Sequence, residues 1–198
     1  MIKILNEYLG LNNIINDSRD SSKNGFELSQ IHRKMGIYLG MEILSVFPKE
    51  NKSIKNAQGN IEEIAFNSAG NTAIIALMRG GLFLSLGIFE VFPKSALILI
   101  NDKQEIDIYK EVLKDKNIII SDSVINTGKS VIELFDYLSL KEHKYKVIAA
   151  TQVLQKEGLN LLSNLNIDIF TIRISDNKYK GSKSSDTGNR LFNTEFLI

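Results

Sequence analysis

One fourteen-residue stretch, Asn117-Ile-Ile-Ile-Ser-Asp-Ser-Val-Ile-Asn-Thr-Gly-Lys-Ser130, constrains the fold of this chain more than any other. Residues 118–121 are Ile-Ile-Ile-Ser, an apolar run rich in β-branched residues, as expected of a strand covered on both faces. Residues 131–138 repeat Val131, Leu134, Phe135 and Leu138 at helical spacing. Between them lies a short polar loop. A strand that ends in an acid and turns directly into a helix points free N–H groups and the positive end of the helix dipole at one spot. That spot suits an anion. Gly128 lets the backbone approach a phosphate without a Cβ, the Thr127 and Ser130 hydroxyls can donate to its oxygens, and Lys129 adds positive charge. Asp122, at the strand's end, is placed to accept protons from sugar hydroxyls.

A blander reading is a strand, a turn with a capping threonine, and a helix with a solvated lysine. A third takes Gly128-Lys129-Ser130 as the end of a P-loop. That signature requires a glycine five residues before Gly128, where this chain has Ser123.

Composition narrows the classes. The chain has 198 residues, 24 basic and 23 acidic, with a formal net charge of +1, so nothing in the balance points to nucleic acid or an anionic membrane. Cysteine is absent, which excludes disulfides, thiol nucleophiles and thiolate metal sites. His32 and His143 are the two histidines, both in charged, helical contexts where solvent-exposed structural roles are expected. No apolar run approaches a membrane span, and the N-terminus lacks a signal-peptide profile. A cytoplasmic protein is the expectation.

Along the chain, residues 1–25 read as irregular and Phe26 to Phe47 as one long helix ended by Pro48. Residues 49–60 read as a loop and Ile61 to Phe66 as a strand. Ile74 to Met78 reads as a buried strand running into Arg79-Gly80-Gly81, followed by a helix over Leu82 to Val91 and a strand over Ala96 to Ile100. Residues 101–116 read as a mobile connection. After the opening segment come a strand (Val147 to Val153), a short helix (Gly158 to Leu165), a strand (Ile167 to Ile174) and a polar tail. Such alternation predicts an α/β fold, a mostly parallel central sheet with helices on both faces, whose ligands sit at the carboxyl ends of strands. Loops 79–81, 122–130 and 175–190 fit that place.

These segments, in this order, resemble type I phosphoribosyltransferases, specifically the uracil phosphoribosyltransferase branch. Ile75-Ala-Leu-Met-Arg79-Gly-Gly-Leu82 resembles the family's I-L-R-A-G-L, Asp122-Ser-Val-Ile-Asn-Thr-Gly-Lys-Ser130 its D-P-M-L-A-T-G-G-S, and Asp186-Thr-Gly-Asn-Arg190-Leu-Phe-Asn-Thr194 its D-A-G-D-R-L-F-G-T. The helix from Phe26, with Glu42 late in it, is also similar. The resemblance implies one domain over 1–198, with an N-terminal helical segment (1–60), a core (61–174) and a small C-terminal hood (175–198). It implies 5-phosphoribosyl 1-diphosphate as substrate, carried with magnesium, and transfer of ribose 5-phosphate to uracil to give uridine monophosphate.

By position, the resemblance assigns Arg79 and Gly80 to the diphosphate, Asp122 to the ribose hydroxyls, and Ser123, Val124, Ile125 and Asn126, with Thr127, Gly128, Lys129 and Ser130, to the 5′-phosphate. Asp186 would contact the sugar–diphosphate end, so that Arg79, Asp122 and Asp186 form the catalytic set. Ile174, Ser185, Asp186 and Thr187 would meet the base. No metal ligand from the protein is implied. A homo-oligomer, preferentially a dimer, is expected, with no nucleic-acid or membrane partner. Some relatives use GTP as an allosteric nucleotide.

The chain also departs from the pattern. Ile100-Asn101-Asp102 stands where the family has Y-R-D, Asn189 where it has the second acid of D-A-G-D, and Lys129 where it has glycine. The proline-containing segment that reads uracil through its backbone is replaced by a shorter tail around 177–185. Phosphoribosyl recognition is therefore better supported than recognition of uracil. The competing readings are a transferase with another acceptor and a non-catalytic regulator that senses phosphoribosyl diphosphate or a nucleotide.

Overall fold

The computed structural model describes residues 1–7, 9–177, 181 and 185–194. Its centre is a six-stranded sheet built from β1 (Ile2–Ile4), β4 (Thr72–Leu77), β5 (Ala96–Ile100), β6 (Asn117–Ile125), β7 (Val147–Gln155) and β8 (Asp168–Ser175). The strand order is β1-β8-β7-β6-β4-β5, and every pairing is parallel. A separate antiparallel hairpin joins β2 (Lys49–Lys55) to β3 (Ile61–Asn67).

Successive strand residues alternate between two apolar layers. Ile74, Ile119, Ile148 and Phe170 point to one layer, where α2 (Gly25–Leu44) and α3 (Leu82–Val91) supply Met35, Leu39, Ile43, Leu84 and Ile88. Ile75, Ile118, Ile120 and Ile169 point to the other, where α5 (Lys129–Tyr137) supplies Val131, Leu134 and Phe135, and α6 (Lys156–Leu162) supplies Leu162. Burial on both faces explains why the central strands read as unbroken apolar runs.

Helices α2 and α3 cross very closely, and glycine permits it. A Cβ on Gly36 would lie 2.1 Å from the Leu84 carbonyl oxygen, and one on Gly87 would lie 2.0 Å from that of Arg33. Any larger residue at either crossing point would push the helices apart.

Several expectations are corrected. Residues 1–25 are not irregular. β1 pairs with β8 at the sheet edge, and α1 (Asn12–Arg19) packs Ile15 into the core. Residues 49–55 form a strand rather than a loop, because β3 provides a ladder that no local pattern announces. Residues 101–116 contain a 3-10 turn over Lys103–Tyr109 and the short α4 (Lys110–Leu113), pinned by buried Ile106 and Leu113. His32 is buried, 2% exposed, rather than facing solvent, because α2 lies on the sheet along the side that carries it. His143 is half-buried, with Nε2 donating to the Lys116 carbonyl at 2.7 Å.

The order also fixes where a ligand can go. From β4 the chain passes to β5 on one side, and the next strand, β6, returns to β4's other side. The carboxyl ends of β4 and β6 therefore flank a switch point, where a crevice opens in sheets of this kind.

Candidate active site

Three contiguous cavities open at that end of the sheet, and Val124 and Asn126 line all of them. The first, about 290 Å³, is the loop between β6 and α5. Residues 124–131 wrap it, with Asp122 at its edge. Gly128 has a φ of +75°, a left-handed conformation that side chains disfavour, and the turn into α5 depends on it. The Thr127 hydroxyl accepts from the Lys129 N–H at 3.3 Å, which shapes the turn. Lys129 is 80% exposed and pairs with Glu133 at 3.7 Å, so its charge belongs to the rim. The result is a cradle at the N-terminus of a nine-residue helix, as the sequence led us to expect.

The second cavity, about 220 Å³, lies between Arg79-Gly80, Asp122-Ser123 and residues 186–188. The Met78–Arg79 peptide bond is cis. A Cβ on Gly80 would lie 3.2 Å from an Asp122 carboxylate oxygen, so the loop after β4 and the acid on β6 are in direct apposition. Burial pushes the Asp122 carboxyl up to about 7 and the nearby Asp186 adds to this, while backbone N–H groups of Ser123 and Val124 pull the other way. Asp186 has two employments. It lines the cavity, and it caps α7 (Thr187–Leu191) by accepting from the Asn189 N–H at 2.8 Å.

Arg79 reaches across to that C-terminal segment. It donates to Asn189 Oδ1 at 2.6 Å and to the Thr194 hydroxyl at 3.3 Å, and its guanidinium lies 5.8 Å from the centre of the Phe192 ring. The position where relatives carry a second acid thus holds the arginine in this chain. Because Asn189 is neutral, this hydrogen bond positions Arg79 without cancelling its charge. Lys103, next to the missing Y-R-D arginine, pairs with Glu133 at 3.3 Å.

The third cavity, about 250 Å³, lies beyond Asn126 and Thr187, against the ends of β7 and β8 and the helices α1 and α2. His32, Gln152, Gln155 and Arg173 line it, none of which the sequence reading placed in a site. Thr187 borders both this cavity and the second, whereas Ile174 and Ser185 are not among the lining residues of either. His32 is tied to the second cavity through Ser123. The Ser123 hydroxyl donates to the Gly80 carbonyl at 2.6 Å and lies 2.9 Å from His32 Nδ1, so Nδ1 carries the proton and donates. Burial, helped by the positive charge of Arg190, lowers the His32 pKa to about 3, so the ring is neutral near pH 7. Arg190 in turn spans the N- and C-terminal segments, donating to Asn24 Oδ1 at 3.0 Å and to the carbonyls of Asp20 and Lys23 at 2.8 Å each. The tail expected to read the base lies in good part outside the described residues, at 178–180 and 182–184.

A parallel sheet with a loop cavity at the end of one strand, an arginine-glycine loop on its neighbour and an acid between them is the arrangement expected of the type I phosphoribosyltransferase class. The structure overlays the AQ2163 protein from Aquifex aeolicus with a TM-score of 0.74 at 19% identity, covering 97% of this chain and 98% of that one. A Thermus thermophilus protein, TT1426, overlays at 0.50 and 10% identity over 82% and 96%. The sequence narrows the class: the model of the family Uracil phosphoribosyltransferase matches residues 11–194, and the chain belongs to that family. Its similarity to individual members is low. The uracil phosphoribosyltransferase of Thermococcus kodakarensis is 23% identical over 90% of this chain and 85% of its own length. That of Thermosipho africanus is 26% identical over 63% and 67%.

Proposed function

We propose that this chain transfers ribose 5-phosphate from 5-phosphoribosyl 1-diphosphate to a pyrimidine, uracil being the acceptor that family membership brings. The observation that carries the reading is the shared wall of the cavities. Asp122 stands between a phosphate-sized cradle and the Arg79-Gly80 loop, so one sugar can place its 5′-phosphate in the first and its diphosphate against the second.

In this reading the bond between C1 and the diphosphate oxygen breaks, and its electron pair leaves with the diphosphate. A ring nitrogen gives its lone pair to C1 and its proton to water. The sugar carries positive charge in between. Asp122, ionised on accepting the ribose hydroxyls, stabilises that charge from one side. Arg79, held by Asn189 and Thr194, steadies the departing negative charge from the other. No nucleophile from the protein is needed.

Magnesium fits this site as a passenger of the substrate. Among the described residues no three acidic or histidine side chains gather as a metal cage, while Asp122 and Asp186 border the cavity where the diphosphate would sit. When bound, the cation would supply charge neutralisation on the diphosphate. A homodimer in the cytoplasm remains part of the proposal, and no helix among the described residues is long and apolar enough to cross a membrane.

The test is release of diphosphate from 5-phosphoribosyl 1-diphosphate with magnesium, on adding uracil or a carboxylated uracil. Release with any of them supports the transferase. Thermal stabilisation by the sugar diphosphate without any release would favour the non-catalytic sensor instead. Absence of both release and stabilisation would overturn the reading.

A further inference from the structure

The third cavity has a charge pattern that a neutral ring does not need. Arg19, Arg173 and Arg190 line it, and among the described residues no aspartate or glutamate does. Arg190 hydrogen-bonds to neutral acceptors, and the nearby Asp20 carboxylate, which feels its charge, is exposed and not on the cavity wall. Neither Arg19 nor Arg173 forms a salt bridge among the described residues, and the Arg173 Nε is buried without a hydrogen-bond partner. Burial together with the charge of Arg19 pushes the Arg173 pKa down, the signature of two cations facing one space. The carboxylate following β8, Asp176, is held at 2.5 Å by Lys156 and is not on the wall.

The remaining lining is specific as well. Gln152 and Gln155 are each 5% exposed, and the Oε1 of each lacks a partner. Gln155 is fixed in place, since its Nε2 donates to the Asn177 carbonyl at 3.1 Å. Two buried acceptors call for N–H donors from a ligand. His32, being neutral, adds no charge of its own near pH 7. The space is adequate for one ring, and it joins the sugar side through Val124, Asn126 and Thr187. Seating uracil there would satisfy the glutamines and leave the arginine charge unanswered. A guanidinium pairs best with a planar carboxylate, through two parallel hydrogen bonds.

We infer that the acceptor held in this cavity is a planar nitrogen ring bearing a carboxylate, read by Arg173 and Arg19 on its anionic side and by Gln152 and Gln155 on its N–H side. The inference rests on the transferase reading only for the name acceptor; the ligand chemistry follows from the cavity itself.

The test uses the full chain and calorimetric titration. The sugar side is first filled with ribose 5-phosphate, which has no leaving group, and then uracil, uracil-5-carboxylate, uracil-6-carboxylate and nicotinate are compared. At least one carboxylated ring should bind about 10-fold or more tighter than uracil. Arg173→Met should erase that preference and leave ribose 5-phosphate affinity unchanged within about 2-fold. Arg19→Met, at an exposed position, should reduce the preference by about 3-fold and serves if the Arg173 variant does not fold. Uracil binding as tightly as every carboxylated ring overturns the inference, as does a preference that survives both substitutions. Equal binding of acetate would also overturn it, showing an anion site with no ring recognition. A chain that prefers carboxylated rings but ignores ribose 5-phosphate would uphold the cavity chemistry and count against the transferase alone.

Discussion

The two sides of the site are built in opposite ways. The proposed sugar-phosphate side comes mainly from two short consecutive stretches, 78–80 and 122–131, each the exit of a buried strand into a helix, with residues 186–188 as its third wall. The proposed acceptor side is assembled from α1, α2, the ends of β7 and β8, and α7, with two or three residues from each. In this reading the loop after β6, on the first side, works mainly through backbone geometry, which tolerates sequence change as long as the turn is kept. The second works through individual side chains, so each substitution there can alter what is bound. This difference fits a chain only 23% identical to a relative that keeps a recognisable loop after β6, while Arg19 and Arg173 in the third cavity have no salt-bridge partner among the described residues.

The strongest way to break the comparison is Gly128→Val. A side chain there meets Leu162 at 3.2 Å and must adopt a φ of +75°, which for a β-branched residue costs about 1–3 kcal/mol. We expect ribose 5-phosphate affinity to fall by about 100-fold, while ring binding on the other side changes by less than about 3-fold. Equal losses on both sides in calorimetry would show that the two are one mechanical unit.

Asp122→Asn sharpens the sugar side. The Asp122 carboxyl is raised to about 7, so in the fold it keeps a proton that the unfolded chain releases near its ordinary value of 3.8. Its contribution to stability is therefore fully present below that value and is lost as pH rises through about 7. The asparagine variant should gain more in melting temperature, relative to the parent, at pH 8 than at pH 4. Because hydroxyl donors favour the ionised acid, ribose 5-phosphate should bind the parent up to about 10-fold tighter at pH 8 than at pH 6 once its own phosphate ionisation is subtracted. The variant should bind more weakly with that dependence removed, and an unchanged dependence would assign it to another group.

The smallest effect is expected at His32. With its pKa near 3, its ring should not titrate between pH 5 and 8, and NMR of its Cε1–H should show one neutral form throughout. His32→Gln should leave the pH dependence of ring binding unaltered. A step near pH 6 that disappears in this variant would mean that the cavity hydrates the imidazole far more than its burial implies.

Sequence and structure contributed unequally to the two sides. The helix 82–91 and the strand 96–100 follow from local pattern to the residue, because buried strands and glycine or proline stops are written in neighbouring positions. β1 and β2 escaped because a short or polar strand has no apolar period of its own, and only its partner makes it one. His32 was misjudged for a related reason. Arg33 and Lys34 follow it in sequence, and its burial comes from α2 lying against Ser123, ninety-one residues away. The Asp122 acid, the Gly128 turn and the Asp186–Arg190 segment were visible because each acts through its own stretch of backbone. Asn189 read as a missing acid, and the fold shows it as the group that holds Arg79.

By itself, then, the sequence determined the alternation of buried strands and helices and the phosphate loop at the end of one of them, since both depend on interactions between residues a few positions apart. Only the tertiary structure decided which charges face one another. Arg19 and Arg173 share a cavity because α1 folds back beside the end of β8, and Asp122 is partly desolvated because residues 79–80 and 186–188 stand against it. Electrostatic interaction and desolvation depend on distance through space, and a linear sequence does not record that distance.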